Sequence, residues 1–439
     1  MSNLAKARAA LKKNSKVDFK NRVELDPENM QAIPAISTGS LVIDYLIGGN
    51  KLSNGQRQCP GIPRGRMTEI YGPEGSGKTT LALETAIKCQ QDGGSVVFLD
   101  FENAIAPAYA QSLGVDFNED KWDLYSPTTW EEGAEIIKIM VNAGVDLIIV
   151  DSVSAMVPQA TFEKDPSEQG QIGLLARLQS MFLPNLVHDL RKSGTALIYL
   201  NQMRSRIKTS KYDTGPDEGT SGGRALKYYA SLRLKLKRTR TEYTKVENNL
   251  TGNSEKQPIC NIVRAQNVKN KCSMHQGHST DFVLRYGEGI DNVRSIMDIA
   301  ENRKILNRSG AWYKFVDSTG VEQSLQGKEA VRDFLFENQS QFAHLVQQVS
   351  SFSSIGGPGA APSTEGVGSE SFEDPAIVSL VERAVEEGLI DQAGPWYKFT
   401  DEEGEEHSVR GKEAAIEHLS DNPATALFLE ESLEGELDA

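Results

Sequence analysis

The chain has 439 residues, 38% hydrophobic and 25% charged, with a net charge of −14. Such a length suggests about two to three domains, and no apolar run approaches the roughly 18 residues that a membrane helix needs. Four scattered cysteines, Cys59, Cys89, Cys260 and Cys272, show no CxxC spacing, which argues against a disulfide framework and fits a reducing compartment.

The N-terminal stretch "LAKARAALKKN" reads as a helix and has no apolar core of the kind a secretory signal carries, so a cytoplasmic location is expected. Short apolar runs then recur with helix-length segments between them: "RMTEIYG" (66–72), "SVVFLD" (95–100), "VDLIIVD" (145–151) and "TALIYL" (195–200). This is the pattern of an α/β fold with a mostly parallel sheet covered by helices on both faces.

The first run leads into "GPEGSGKTT", which fits GxxxxGK[ST] between a strand and the helix "TTLALETAIKC". Gly72, Gly75 and Gly77 let backbone N–H groups turn toward phosphates, and the helix N-terminus adds positive potential. Pro73, Glu74, Ser76 and Thr80 complete the expected ATP cradle. Lys78 should reach the β and γ phosphates and Thr79 should ligate Mg2+. Asp151, closing "DLIIVD", is the expected magnesium carboxylate. Glu102, after "FLD", is either a general base for an attacking water or a structural carboxylate at a strand end.

After "TALIYL" the chain becomes basic and flexible in "NQMRSRIKTSKYDTGPDEGTSGG" (201–223). From Arg204 to Lys245 twelve Lys or Arg face four Asp or Glu, a local balance of +8 within an acidic chain. A local patch, not the total, decides contact with nucleic-acid phosphates. The alternating "YASLRLKLK" (229–237), "ICNIVRA" and "DFVLRY" read as antiparallel strands extending the same sheet. "CSMHQGH" gathers Cys272, His275 and His278, but with no fourth ligand a polar loop is preferred to a metal site.

Beyond residue 290, "SGAWYKFVDSTGVEQSLQGKEA" (309–330) returns as "AGPWYKFTDEEGEEHSVRGKEA" (393–414) at an offset of 84, on either side of a Gly, Ser and Pro-rich linker. The last 39 residues, from Asp401, carry a balance of −11. The expected organisation is an N-terminal helix and arm (1–36), an ATPase core (37–290), a first small α+β module (291–349), a linker (350–372) and a second copy with the acidic tail (373–439). The second copy either adds a binding surface, masks the first, or is neutral, and its negative charge favours masking of basic patches.

"ISTGSLVIDYLIGG", "EIYGPEGSGKTT", "FLDFENAIAPAYA", "IIVDSVSAMVP", "LIYLNQMR", "TSGGRALKYYASLRL", "VKNK", "YGEGI" and "GAWYKF" occur in this order over most of residues 1–340. The series resembles the bacterial RecA-type recombinases and their viral relatives. The resemblance implies a P-loop NTPase with a RecA-like core and small α+β C-terminal modules. It implies that Glu102 activates water and that Gln202 senses the γ-phosphate. It further implies that Tyr109 packs on adenine, that Lys269 and Lys271 reach the next subunit's ATP, and that the N-terminal helix docks on a neighbour. The basic stretch becomes the second DNA loop, with Arg204, Arg206, Ile207, Lys208, Gly222, Gly223 and Arg224. The first loop, about Thr161 to Gly173, contributes Ile172, followed by Arg177 and Ser180.

This chain departs from that family at Pro184, at Ala106, at "CSMHQ", in an extra segment "NKLSNGQRQCPGIP", in slightly longer DNA loops and in the second module. The implied activity is ATP-dependent filament formation on single-stranded DNA, followed by pairing and strand exchange with homologous duplex. ATP and Mg2+ are the implied cofactors. Single-stranded DNA, double-stranded DNA, other copies of the chain, and single-strand-binding and loading proteins are the implied partners, with no membrane. A hexameric helicase and an ATP-stabilised binding module are the rival readings.

Overall fold

The structure is a computed structural model that describes residues 31–49, 51–52, 55–162, 173–205, 218–247 and 254–351, with parts of 380–432. The N-terminal helix, Ile172, Arg206, Ile207, Lys208, most of the linker and the side chain of Arg204 lie outside the described residues.

The main elements in order are β1 (Met67–Gly72), α1 (Lys78–Gln91), β2 (Val96–Asp100), α2 (Pro107–Leu113), β3 (Trp122–Tyr125), α3 (Trp130–Ala143), β4 (Leu147–Asp151), α4 (Leu174–Ser193), β5 (Ala196–Ser205), α5 (Ala225–Tyr229), β6 (Leu232–Glu247), β7 (Ser254–Asn270) and β8 (Ser279–Arg285). They form one sheet in the order β8-β7-β6-β1-β5-β4-β2-β3, whose edge beyond β8 is the short strand Gly289–Ile290. All pairs from β6 to β3 are parallel, while β7 and β8 run antiparallel.

The strands are nearly continuous apolar runs because both faces are covered. Phe98, Ile149 and Ile198 pack with Leu81, Leu83 and Ala86 of α1 on one face. Their neighbours Leu99, Val150 and Leu197 pack with Ile137 and Val141 of α3 and Leu183, Leu186 and Leu190 of α4 on the other. Alternation within each strand thus supplies two cores, and each fully buried Leu or Ile contributes about 1.5–3 kcal/mol. Helix α4 continues through Pro184, at a cost of about 3 kcal/mol for a proline in a helix interior.

The strands β6, β7 and β8 extend the sheet and run antiparallel each to the next, as expected, but their junction with it is parallel: β6 lies parallel to β1, from Thr68↔Leu232 to Tyr71↔Lys235. Helix α5 returns the chain to the starting end of β1, where Ser231 N donates to Met67 O at 2.8 Å. Alternation reports which side chains are wet, not the direction of the partner strand.

Beyond the sheet come α6 (Asn292–Asn302), β9 (Asn307–Ser309), β10 (Trp312–Val316), β11 (Glu322–Gln326), α7 (Lys328–Glu337) and α8 (Gln339–Ser351). Tyr313, Phe315, Val331 and Leu335 share the apolar cluster of α1. Arg332 bonds Asp291 and Glu288, each at 2.9 Å, and Arg285 bonds Glu329 at 2.9 Å. This module is therefore welded to the core.

The chain divides into two compact units, Met1–Ala361 and Pro362–Ala439. In the second, β12 (Asp391–Ala393), β13 (Trp396–Thr400) and β14 (Glu406–Arg410) pair from Trp396↔Arg410 to Thr400↔Glu406. Each bound lies 84 residues after its counterpart in β9 to β11, whose pairing runs from Trp312↔Gln326 to Val316↔Glu322. Its own core contains Val381, Ile390, Tyr397 and Phe399.

Candidate nucleotide-binding site

The parallel strands β1, β5, β4 and β2 end on the same edge of the sheet, the edge where α/β folds bind ligands. From there β1 passes into the glycine-rich turn and α1. Gly75 and Gly77 have φ of +66° and +83°, a region that favours glycine. Gly72 serves differently: a Cβ there would stand 2.1 Å from Leu236 O, so glycine lets β6 pass close to the turn. Gly77 caps α1 with no side-chain bond to its N-terminus, leaving N–H groups and the positive helix end for an anion.

Lys78 folds over this turn, donating to Gly72 O at 3.2 Å and Pro73 O at 2.9 Å. Burial holds its ammonium below the ordinary lysine value, against the pull of Asp151, Glu102 and Glu74. Ser76 Oγ donates to Pro73 O at 2.7 Å and stiffens the same turn.

Thr79 Oγ1 donates to Asp151 Oδ2 at 2.7 Å. Burial raises Asp151 to about 6, with Glu102 and Asp100 adding to the rise and the Thr79 bond opposing it. A hydroxyl and a carboxylate oxygen side by side are donors that suit a hard divalent cation. Tyr109, on α2, is half exposed with its hydroxyl 3.0 Å from Thr80 Oγ1.

Glu102 leaves β2 through a turn set by Asp100, whose carboxylate accepts Glu102 N at 3.1 Å and Ile105 N at 2.9 Å. Two donors then meet on Glu102 Oε1: Gln202 Nε2 at 2.8 Å, and the hydroxyl of buried Ser152. Ser154 Oγ lies 2.6 Å from Ser152 Oγ. The Glu102 side chain is exposed.

Ser152, Ser154 and Asp100 were not foreseen as site residues. The serine directly after Asp151 in "VDSVS" was the available signal.

Gln202 sits near the end of β5, next to Asn201. Asn201 Nδ2 donates to Glu69 Oε1 at 2.9 Å and to Ser221 O at 3.0 Å. Glu69 is fully buried and pairs with Arg233 at 2.5 Å. The end of β5 and the exit of the second loop are thus pinned to an ion pair in the sheet.

Gly222 and Gly223, expected to admit a DNA strand, are also closely packed: a Cβ on Gly222 would meet Gln179 Oε1 at 2.6 Å, and one on Gly223 would meet Ala176 Cβ at 2.6 Å. Arg177, Ser180 and Arg224 are exposed. Lys269 Nζ donates to Lys227 O at 2.6 Å and Tyr228 O at 2.9 Å. Burial and neighbouring Lys271 and Arg233 lower it to about 8. Lys271 is exposed.

Of the site residues expected from sequence, Lys78, Thr79, Thr80, Glu102, Tyr109, Asp151 and Gln202 come together by these bonds, while Lys269 is engaged elsewhere on its own chain. Cys272 and Cys59 are both buried, free thiols, and the His275 and His278 rings lie 5.1 Å apart. Among the described residues no helix is long and apolar enough to cross a membrane.

Residues 6–291 match the family model of the RecA N-terminal domain, and residues 294–353 that of the RecA C-terminal domain. Protein RecA of Bacillus licheniformis is 37% identical over 344 residues, covering 78% of this chain and 90% of that protein. Protein RecA of Delftia acidovorans is 39% identical over 323 residues, 73% of this chain and 80% of that protein. The crystal structure of the RadB recombinase overlays with a TM-score of 0.40 at 22% identity, covering 58% of this chain and 98% of that one.

Proposed function

Because the chain belongs to the RecA family of recombination and repair proteins, we propose that it forms ATP-dependent helical filaments on single-stranded DNA. The filament pairs that strand with homologous duplex, exchanges strands, and hydrolyses ATP to release the product.

In this reading the turn from Gly72 to Thr80 binds the phosphates, and Lys78 neutralises charge that builds on them in the transition state. Glu102 takes the proton of the attacking water. Thr79 and Asp151 hold Mg2+, which supplies Lewis-acid neutralisation of the phosphate oxygens. Tyr109 flanks the base. Gln202 exchanges its amide between Glu102 and the γ-phosphate, and thereby reports occupancy to the loop that follows β5. Lys269 and Lys271 complete the neighbouring subunit's site, so that Lys269 leaves the carbonyls of Lys227 and Tyr228 on assembly.

Ile172, Arg177, Ser180, Arg204, Arg206, Ile207, Lys208, Gly222, Gly223 and Arg224 form the DNA surface. Phosphate contacts come from the cations, and Ile207 wedges between bases. Single-strand-binding and loading proteins are further partners, and the cytoplasm is the compartment.

The observation that carries this reading is the 2.8 Å bond between Gln202 and Glu102. It joins the hydrolytic carboxylate to the strand that becomes the basic loop. The test is ATP turnover by the full chain with and without single-stranded DNA, across a salt titration. Stimulation that fades as salt rises is expected, and DNA-independent turnover contradicts the reading.

A further inference from the structure

Beneath the exit of the second basic loop, three buried polar atoms have no hydrogen-bond partner among the described residues: Gln179 Oε1, Thr220 Oγ1 and Ser221 Oγ. Native interiors pair nearly all such groups, so three at one junction point to a state in which they are paired. Gln179 lies on α4, 3% exposed. Among the described residues its Nε2 reaches only Met156 Sδ, at 3.9 Å, and a thioether is a weak acceptor.

The amide is also wedged between two segments. A Cβ built on Gly222 would stand 2.6 Å from Gln179 Oε1 and 2.7 Å from Val153 Cγ1. Val153 directly follows Ser152, whose hydroxyl holds Glu102. Gln179 and Val153 thus both lie against Gly222, the residue through which the loop re-enters the fold, and Gln179 also reaches Met156 of the turn that carries Ser152.

We propose that Gln179 is a positioning residue that couples DNA occupancy of the second loop to the setting of Glu102, its side-chain oxygen accepting a backbone N–H of residues 221–223 in the DNA-bound state. The coupling rests on the reading of the nucleotide and DNA sites given above. The shift of the loop exit onto Gln179 moves the amide against Val153 and Met156, and this turn carries Ser152 with it. A packing role alone makes the opposite forecast: replacing an unpaired buried amide by an apolar side chain of similar length is neutral or stabilising and leaves coupling intact.

The test compares full-length wild type with Gln179→Met. ATP turnover is measured with and without a thymidine homopolymer, alongside thermal melting and DNA binding in the presence of a non-hydrolysable ATP analogue. The variant is expected to melt at or above the wild-type temperature and to bind DNA, while stimulation of turnover falls about fivefold or more, the usual scale of a lost coupling. Wild-type stimulation in a folded Gln179→Met overturns the proposal.

Hydrogen exchange on the wild type gives an answer that needs no variant. Amides of residues 221–223 should gain protection when the homopolymer is added with the analogue, and unchanged exchange there also overturns the proposal. A wild-type chain whose turnover ignores DNA overturns the functional reading itself, a result distinct from either outcome at Gln179.

Discussion

Around the phosphate turn, Lys78, Thr79, Asp100, Glu102 and Ser152 each bond to a neighbour, whereas at the loop junction Gln179, Thr220 and Ser221 keep atoms unpaired among the described residues. Both regions hang from the same strand ends. A region whose polar groups satisfy one another is set before its ligand arrives, while one with unpaired buried groups is held in a less stable arrangement that a ligand can change. In the proposed reading the nucleotide end is a preset reaction site, and the junction is the element that DNA changes.

The largest test of that contrast is Lys78→Ala. No other side chain in the turn supplies a cation, so ATP-driven strand exchange should fall by about 10²- to 10³-fold, the scale of a lost transition-state donor, with the fold intact by melting. Undiminished joint-molecule formation would remove the turn from the reaction.

Next comes Glu102→Gln, which keeps the bonds to Ser152 and Gln202 within reach but cannot take a proton. Turnover should drop by about 100-fold while nucleotide-dependent DNA binding persists or rises. Normal turnover in single-cycle kinetics would make Glu102 a structural carboxylate.

A smaller effect is expected at Asp151. Its folded-state value is about 6, above the ordinary 3.8, chiefly through burial. The folded chain binds that proton more tightly than the unfolded chain. The resulting stabilisation is complete below about pH 4 and lost as pH rises through about 6. Asp151→Asn removes the loss, so it should melt above wild type near pH 8, with the gap closing toward pH 4, even as its response to Mg2+ weakens. A gap that stays constant with pH contradicts this origin.

The nucleotide turn was legible because strand, glycine spacing and helix are local in sequence, and the two-faced apolar runs gave the layered sheet for the same reason. The rest depended on tertiary contact. The glycine at position 72 looked like a phosphate ligand, yet the nearby carbonyl of Leu236 makes glycine necessary there. The parallel pairing of β6 with β1 is set by where α5 returns the chain. Ser152 and Gln179 are ordinary helix or turn residues until folding brings them to Glu102 and Gly222. Lys269 looked free to reach outward, but in this protomer two carbonyls hold it.

The smallest expected effect comes from removing Pro362–Ala439, which leaves both regions of the contrast in place. That unit has its own core, so ATP turnover and melting of the remainder should hold. Its acidic tail, on a linker that gives about millimolar effective concentration, should compete with duplex DNA most at low Mg2+ and low salt. The truncated chain is therefore expected to take up duplex more readily at low Mg2+. Equal affinity across a magnesium titration would mark a neutral copy, and weaker binding would mark a DNA-gathering one.

The central claim is most directly tested by electron microscopy of the full chain mixed with single-stranded DNA. With ATP and Mg2+ the account predicts helical filaments along the strand, absent without nucleotide and absent for Lys78→Ala. Closed rings, or filaments that form equally well without nucleotide, would contradict it.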